Sequence, residues 1–477
     1  MTSETSETIK PPPPPGGPSY SGWQAALARR FKFAEYRTNF RTEMLAGLTT
    51  FMTMGYILVV NPLILSDAIF LSQPRDLFSE LIFATAVSAA IGTLMMALLA
   101  NYPFALAPGM GINAFFAYSV VLQLGISWQT ALSCVLVEGI IFILLTVSDL
   151  RRHLITAVPE GIKIATTVGI GLFLAYIGLG SSIETGGAGL IVANEATKTA
   201  FGSFREPATL LATIGIFFTA FLMLRRVKGA LLWGVVGTAL LGWVLGVAAP
   251  PTGLVEIPQF PVHLFGQSVR GLAGINAGNF WDFFAAMLVF LFVDMFDTIG
   301  TLAGVGKQAG YIDENGELPR ANQALLADAI GTTAGAIVGT STVTTYVESA
   351  AGISEGGRTG FTALVVGVLF IVALLFGPIF EAIPAFATAP ALLIVGVLMM
   401  MSVVYIKWDD LTEAIPAFLT IFFIPMGFSI ASGLSAGLIA YPILKIFQGR
   451  QREVSLVTWI LAAIFIARYA FITFRFG

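Results

Sequence analysis

Apolar runs long enough to cross a bilayer follow one another from residue 44 almost to the end of the chain, with short breaks between them. About 20 apolar residues span the hydrocarbon as a helix, so there is room for a dozen or more crossings. Hydrophobic residues make up 56% of the 477 and charged residues 11%, whereas about a quarter of a soluble domain is charged. Backbone polar groups in lipid must be satisfied internally, and runs of this length do so as helices. The chain is therefore expected to be an all-α polytopic membrane protein embedded in lipid. A net charge of −3 with two histidines gives no footing for nucleic acid. The single Cys134 lies in an apolar run and cannot form an intramolecular disulfide.

Spans are expected at 44–65, 80–101, 103–123, 128–147, 159–179, 207–224 and 230–249, and then at 281–303, 324–339, 339–353, 359–380, 386–406, 414–430 and 434–446. This divides the chain into a polar, proline-rich cytoplasmic tail read as disordered (1–40), a first seven-span repeat (44–249), an extracytoplasmic linker rich in Gly and Pro (250–280), a second seven-span repeat (281–447) and an extra apolar segment (454–473). The tail lacks the apolar core of a cleavable signal peptide. Short loops that face the cytoplasm carry the excess of Lys and Arg. With the N-terminus inside, Arg29, Arg30, Lys32, Arg37 and Arg41, then Arg151 and Arg152, Arg225, Arg226 and Lys228, Lys307 and Arg320, Arg358, Lys407, Arg450 and Arg452 all fall on the same side. Fourteen spans satisfy that bias, and an odd number per half makes the halves antiparallel. The expected fold class is two inverted seven-span repeats in the inner or plasma membrane.

The third segment of each half is broken. Residues 103–116 read PFALAPGMGINAFF and residues 339–352 read GTSTVTTYVESAAG. Prolines and glycines interrupt the first; a β-branched and aromatic run from Thr342 to Val347 favours extended backbone in the second. Irregular backbone at membrane depth lines a cavity or is buried, and matched breaks in two halves point to a transporter's binding site.

Residues 281–306, WDFFAAMLVFLFVDMFDTIGTLAGVG, carry Asp294 and Asp297 deep inside an apolar run. A carboxylate at a membrane helix centre costs about 2.5–3.5 kcal/mol, so such residues face protein or water and mark a pathway. Three residues apart, the two share a helical face. Glu348 stands where the extended run of 339–353 hands over to a half-helix, whose first N–H groups are ligand-ready. Glu348 and the Asp294/Asp297 pair form a small acidic site, which suits a neutral or cationic substrate bearing N–H donors and repels anions. Carboxylates that crowd together do not all ionise, and one that keeps its proton can carry it with the substrate. Asp294, Asp297 and Glu348 are thus the proton-coupling candidates, with H⁺ the expected coupling ion and no cofactor or metal. For Asp294 a bond to neighbouring Thr hydroxyls is the competing role. Glu138 and Asp328, also inside apolar runs, are read as structural or at most part of proton handling.

DTIGT (297–301), TTYVESAAG (344–352), APGMGINAFFAY (107–118), TEMLAGLTTFMTMGYILVVNP (42–62) and PEGIKIATTVGIGLFLAYIGL (159–179) together resemble the AzgA-like purine permeases, the hypoxanthine/guanine/adenine branch of the nucleobase cation symporters related to xanthine and uracil permeases. The resemblance runs in order over about residues 40–450. It implies a core domain (spans 1–4 and 8–11) moving past a gate domain (spans 5–7 and 12–14), often in a homodimer, with a purine base held between spans 3 and 10 by Asp297 and Glu348. Ionised carboxylates only accept hydrogen bonds, so both would take N–H donors of the purine. Phe115, Phe51 and Tyr346 are then candidates to stack on the base, and the backbone amides near Gly109, Gly111 and Ala350 to meet its carbonyl. Asn113 lines the site or satisfies backbone in the broken segment. Xanthine and uracil permeases carry Glu where this chain has Asp297, which weakens any transfer of their substrate preference.

The expected function is secondary active import of purine bases by proton symport. An anion transporter on the same fold, as in the sulfate permeases, is the alternative, and the acidic site argues against it. A membrane-embedded enzyme lacks a recognisable nucleophile or metal set, since His153 and His263 stand alone in loops. A channel would need rings of pore-lining charge, and none is evident.

Overall fold

The computed structural model describes residues 20–148, 158–180, 187–313 and 318–476. Residues 1–19, the loop residues Asp149, Arg151 and Arg152, and His153 lie outside the described residues, as do the side chains of Arg468 and Arg475. The segment expected to be a disordered tail is folded from Tyr20 onward. It forms α1 (Gly22–Arg30), and Phe31 and Phe33 are buried with edge-on contacts to Phe361 at 5.7 and 5.6 Å. The polar composition of the tail hid four rings, Tyr20, Phe31, Phe33 and Phe40, spaced to gather on one partner; such rings bury large apolar area.

The first apolar path runs as α2 (Phe40–Met54) and α3 (Ile57–Ser66), interrupted at Gly55 and Tyr56. It is followed by α4 (Phe78–Met95), which widens into a π-helical turn, Met96–Ala100. The third segment is β1 (Leu106–Pro108), α5 (Met110–Ala114) and a wide-turned continuation, Phe115–Gln123. Next comes α6 (Trp128–Val147), whose first turn is capped by the Ser127 hydroxyl accepting from Thr130 N at 3.3 Å. Then come α7 (Glu160–Gly180), the hairpin β2 (Ile191–Asn194) and β3 (Lys198–Phe201), α8 (Pro207–Leu224) and α9 (Ala230–Val244). The hairpin falls between the expected spans 159–179 and 207–224.

The loop before the second half contains α10 (Gln267–Arg270). The long α11 (Phe280–Ala309) runs well past its expected end at 303, because nothing stops it until Gly310 adopts φ 72°. After α12 (Ala321–Val338) come β4 (Val343–Thr345) and the half-helix α13 (Ser349–Ser354). The chain continues as α14 (Gly360–Ala373), α15 (Gly377–Glu381), α16 (Ala389–Met400), α17 (Leu411–Met426), α18 (Ile430–Phe447) and α19 (Leu456–Phe476). Nine helices among the described residues are long and apolar enough to cross a membrane, and four shorter apolar ones accompany them.

Two packing groups emerge. In one, α4 carries α12 and α14, α12 also lies on α6, and α11 packs on α6 and α13. In the other, α7 lies on α16 and α17, α17 on α18, and α8 on α9 and α16. At the centre of the first group the two broken segments meet: β1 pairs antiparallel with β4, Leu106 opposite Thr345 and Pro108 opposite Val343. Each strand is held by a threonine of the preceding helix. Thr93 Oγ1 meets both Leu106 N and O at 2.9 Å, and Thr332 Oγ1 meets Val343 O at 2.9 Å and N at 3.1 Å. Gly92 and Gly331, one residue before each, sit back to back; a methyl on Gly331 would stand 3.0 Å from Gly92 Cα. The same tetrapeptide, AIGT, occupies 90–93 and 329–332. The halves are inverted copies that share one two-stranded crossing.

Candidate functional site

The β-branched run of 342–347 makes β4, and the pairing makes its neighbourhood. Gly109 N donates to Thr342 O at 2.9 Å, Tyr346 N to Ala105 O at 3.0 Å, and Ala105 N to Ser349 Oγ at 2.9 Å. Tyr346 OH donates to Pro108 O at 2.5 Å, so this buried ring bolts the end of one strand to the other. A methyl on Gly109 would lie 2.6 Å from Thr344 Cγ2, and one on Gly111 would collide with Ile170 of α7. Glycine at 109 lets the strands approach; glycine at 111 lets the half-helix touch the other packing group.

Asp297 projects from α11 toward β4, half-buried, with Thr344 Oγ1 3.4 Å from its Oδ2. Glu348, also half-buried, caps the entry to α13, and its Oε1 accepts from Tyr56 OH at 2.7 Å. Thr53 Oγ1 lies 3.4 Å from the Glu348 carbonyl. The break in the first apolar path thus presents its tyrosine to the acid of the second half. Asp297 and Glu348 are near enough for their charges to act on each other. Beyond them the structure is open: no atom stands within 4 Å of where a methyl would sit on Gly300 or Gly304, and Val347 is 54% exposed. The open face of α11 continues from Gly300 to Gly304. From the other packing group, Lys163 of α7 lies over the Phe296 ring at 5.4 Å.

The remaining candidates separate. Asn113 is fully buried and takes a hydrogen bond from Ser341 on Oδ1, while its Nδ2 has no partner among the described residues. Phe115 is buried edge-on to Phe290 at 4.9 Å, and Phe51 edge-on to Phe370 at 5.2 Å; both rings are committed to helix packing. The amide of Gly109 is spent on strand pairing and that of Ala350 on a turn to Val347 O at 3.0 Å, so neither is offered to a carbonyl ligand. The amides of Met110, Gly111 and Ile112 open α5 without a side-chain cap.

Asp294 parts company with Asp297. It is fully buried between α6 and α12, beside Glu138 and Asp328. Tyr56, Thr298 and Thr344 were missed in the sequence, as were Thr93 and Thr332. Only the last two carried a signal, the repeated AIGT.

A permease-family model covers residues 41–473. The chain belongs to the xanthine/uracil permease family. It is 50% identical to a Methanocaldococcus jannaschii protein named only as a permease, over 94% of this chain and 99% of the other. It is 41% identical to the adenine permease AdeP of Escherichia coli (94% and 97% covered) and 42% identical to the guanine/hypoxanthine permease PbuG of Bacillus subtilis (93% and 99% covered). Its fold is similar to the transmembrane domain of the cyanobacterial bicarbonate transporter BicA, at TM-score 0.57 and 17% identity over 83% of this chain and 97% of that one. The overall structure of SLC26A9 gives 0.59 at 11% identity over 89% and 69%. Those likenesses concern the fold alone. The sequence relatives place this xanthine/uracil permease family member among transporters rather than enzymes, and on the nucleobase side rather than the anion side.

Proposed function

We propose that this permease imports purine nucleobases, hypoxanthine, guanine or adenine, with protons, its core packing group moving past the other in an elevator-like motion. The observation that carries this reading is the nearness of Asp297 and Glu348 to each other beside the β1–β4 crossing, next to the open face of α11. Two acceptor-only groups match the N–H donors along one edge of a purine. Proton coupling falls to Asp297, Glu348 and Asp294, because a carboxyl that is protonated in one step and ionised in another ties substrate to proton. Gly111 against Ile170 supports movement between the groups, since a small residue lets two helices touch without interlocking. The resemblance adds a homodimer in the cell membrane with its N-terminus inside.

The test is uptake of labelled hypoxanthine, guanine, adenine, xanthine and uracil in a permease-deficient cell, with and without a protonophore. Purine accumulation should exceed uracil accumulation and collapse with the protonophore. Asp297→Asn and Glu348→Gln should each lower apparent affinity about 5- to 150-fold, the effect of one purine N–H left without its acceptor at about 1–3 kcal/mol. Normal transport by both variants would overturn the site, and no nucleobase uptake would overturn the function.

A further inference from the structure

Three acids of this chain never reach the open face of α11. Glu138 on α6, Asp294 on α11 and Asp328 on α12 are each 0% exposed. Glu138 and Asp294 lie within hydrogen-bonding reach of each other. Neither carboxylate can donate, and all four of their oxygens lack a donor among the described residues, as does Asp328 Oδ2. A hydrogen bond between the first two exists only with a proton on one of them. The charges that act on Asp294 are those of Asp328, Glu138 and Asp297, and those that act on Asp328 are Glu138 and Asp297; no cation is among them. Other titratable groups on the helices packed here stand near their ends or are engaged: Glu80 with His263, Asp282, Arg270, Lys307, and Cys134, whose Sγ meets Phe283 O at 3.8 Å.

Glu43 shows how this fold can surround a buried carboxylate with donors. It is equally buried and takes four donors: Arg358 N at 3.0 Å, Thr359 N at 3.2 Å, Thr359 Oγ1 at 2.9 Å and Thr362 Oγ1 at 2.6 Å. Glu138 and Asp294 have no such shell, and Asp328 takes only two hydroxyls, Thr298 Oγ1 at 2.9 Å and Thr345 Oγ1 at 3.4 Å, both on Oδ1. A buried charge without partners is not sustained. Nor do three acidic, His or Cys side chains anywhere among the described residues converge tightly enough to hold a metal ion.

A chain of hydroxyls leads from the triad to Asp297. Thr298 Oγ1 is 2.9 Å from Asp328 Oδ1 and 2.9 Å from Thr344 Oγ1, which is 3.4 Å from Asp297 Oδ2. Four oxygens in a row make three contacts, and the two hydroxyls supply two hydrogens. The third must come from a carboxyl at one end. If Asp328 holds it, Asp328 donates to Thr298, Thr298 to Thr344 and Thr344 to Asp297. If Asp297 holds it, every bond reverses. Passing between the two states breaks one O–H at the first acid, forms one at the other, and shifts each hydroxyl hydrogen by one place.

We propose that Glu138, Asp294 and Asp328 form a proton-binding site separate from the purine site, loaded and emptied through Thr298 and Thr344 by way of Asp297. This rests on the proton-symport reading above and locates the proton that reading requires. The experiment uses the full chain in proteoliposomes, in sodium-free and sodium-containing buffer, reading two quantities: exchange of labelled for unlabelled purine, and accumulation driven by an inward gradient of one pH unit. One proton per neutral purine supports about tenfold accumulation. Wild type should reach it without sodium. Glu138→Gln and Asp328→Asn should still exchange purine but lose accumulation. Accumulation in both would overturn the triad while leaving symport intact; wild-type exchange that no pH gradient drives, or that sodium drives instead, would overturn symport itself. Loss of exchange along with accumulation would also overturn the triad as a separate site. A second readout does not depend on the variants folding: wild type at neutral pH should show the infrared carbonyl band of an un-ionised buried carboxylic acid, and its absence would overturn the proposal.

Discussion

Gly109→Ala should cripple the proposed purine site through a single contact. The added methyl would lie 2.6 Å from Thr344 Cγ2, while its other neighbours, Ile112 Cδ1 at 3.6 Å and Thr344 Cβ at 3.7 Å, are at ordinary distances. Carbon atoms pack best at about 3.5–4.0 Å, so β4 must retreat by about 1 Å from β1. Overpacking of this kind costs about 1–3 kcal/mol. The retreat takes Thr344 away from Asp297 and Thr298, and a misplacement of about 1 Å at a binding constellation costs up to about a hundredfold. Uptake KM for the transported purine should therefore rise about ten- to hundredfold with the protein still folded. Thr344→Ser removes the offending methyl and keeps the hydroxyl, so the double variant should recover most of the loss, with a coupling energy of at least about 1 kcal/mol. Kinetics of labelled uptake in the four proteins of this cycle decide it. A double variant as poor as Gly109→Ala alone, or a Gly109→Ala protein with normal KM, would refute the steric account.

Thr332→Val should destabilise the protein by about 2 kcal/mol, since it strips partners from both polar groups of buried Val343; Thr93→Val should cost a similar amount at Leu106, both read as thermal shifts in detergent. Lys228 Nζ meets Glu355 Oε2 at 2.7 Å, joining the α8–α9 turn to the end of α13 across the two packing groups. Lys228→Cys with Glu355→Cys, bridged by a bifunctional reagent, should arrest uptake reversibly, on a background whose one native cysteine is buried; full uptake after bridging would mean these elements do not separate. At the turn after α18, Arg450 and Lys445 hold Glu453 down from its ordinary 4.5 to about 2, and the Thr412 hydroxyl and Arg450 hold Asp410 well below the usual carboxylate range. A depressed carboxyl stabilises the fold above its unfolded value and stops doing so as pH falls through the folded one. The melting-temperature difference between wild type and Glu453→Gln should therefore be flat above about pH 5 and shrink below it. A difference that instead grows on acidification would reverse the assignment.

Asp297 and Glu348 were legible because hydrocarbon makes an intramembrane acid conspicuous, and a half-helix after a β-branched run tells where its first side chain goes. Asp294 was only half legible. Spacing puts it on the face of Asp297, but which of two nearby directions a side chain takes depends on the helices around it, and Glu138 and Asp328 are far away in sequence. Phe115 shows a similar limit, since nothing along the chain selects Phe290 as its partner among 39 phenylalanines. The amides of Gly109 and Ala350 looked free because their acceptors, Thr342 O and a turn carbonyl, arise only once the strands pair. Tyr56 gave no warning at all; its role comes from a break in one half facing an acid in the other. The folded N-terminal helix was obscured by prolines that dominate the composition around it.

The crossing of β1 and β4 also bears on how the protein is made. Each strand has three residues; Thr93 of the same half satisfies Leu106, but the flanking Ala105 N and O and Gly109 N find Ser349, Tyr346 and Thr342 of the opposite half, and Ser349 follows Ala105 by 244 residues. Insertion of the first half therefore leaves unpaired peptide groups at membrane depth until the second half emerges. The nascent N-terminal half must wait, shielded by water, lipid headgroups or the insertion machinery, and it acquires its substrate platform only as synthesis nears completion. Neither half produced alone would be a small transporter; co-expressed, the two fragments would complete this seam together with the helix packing of α4, α6 and α7 on the second half.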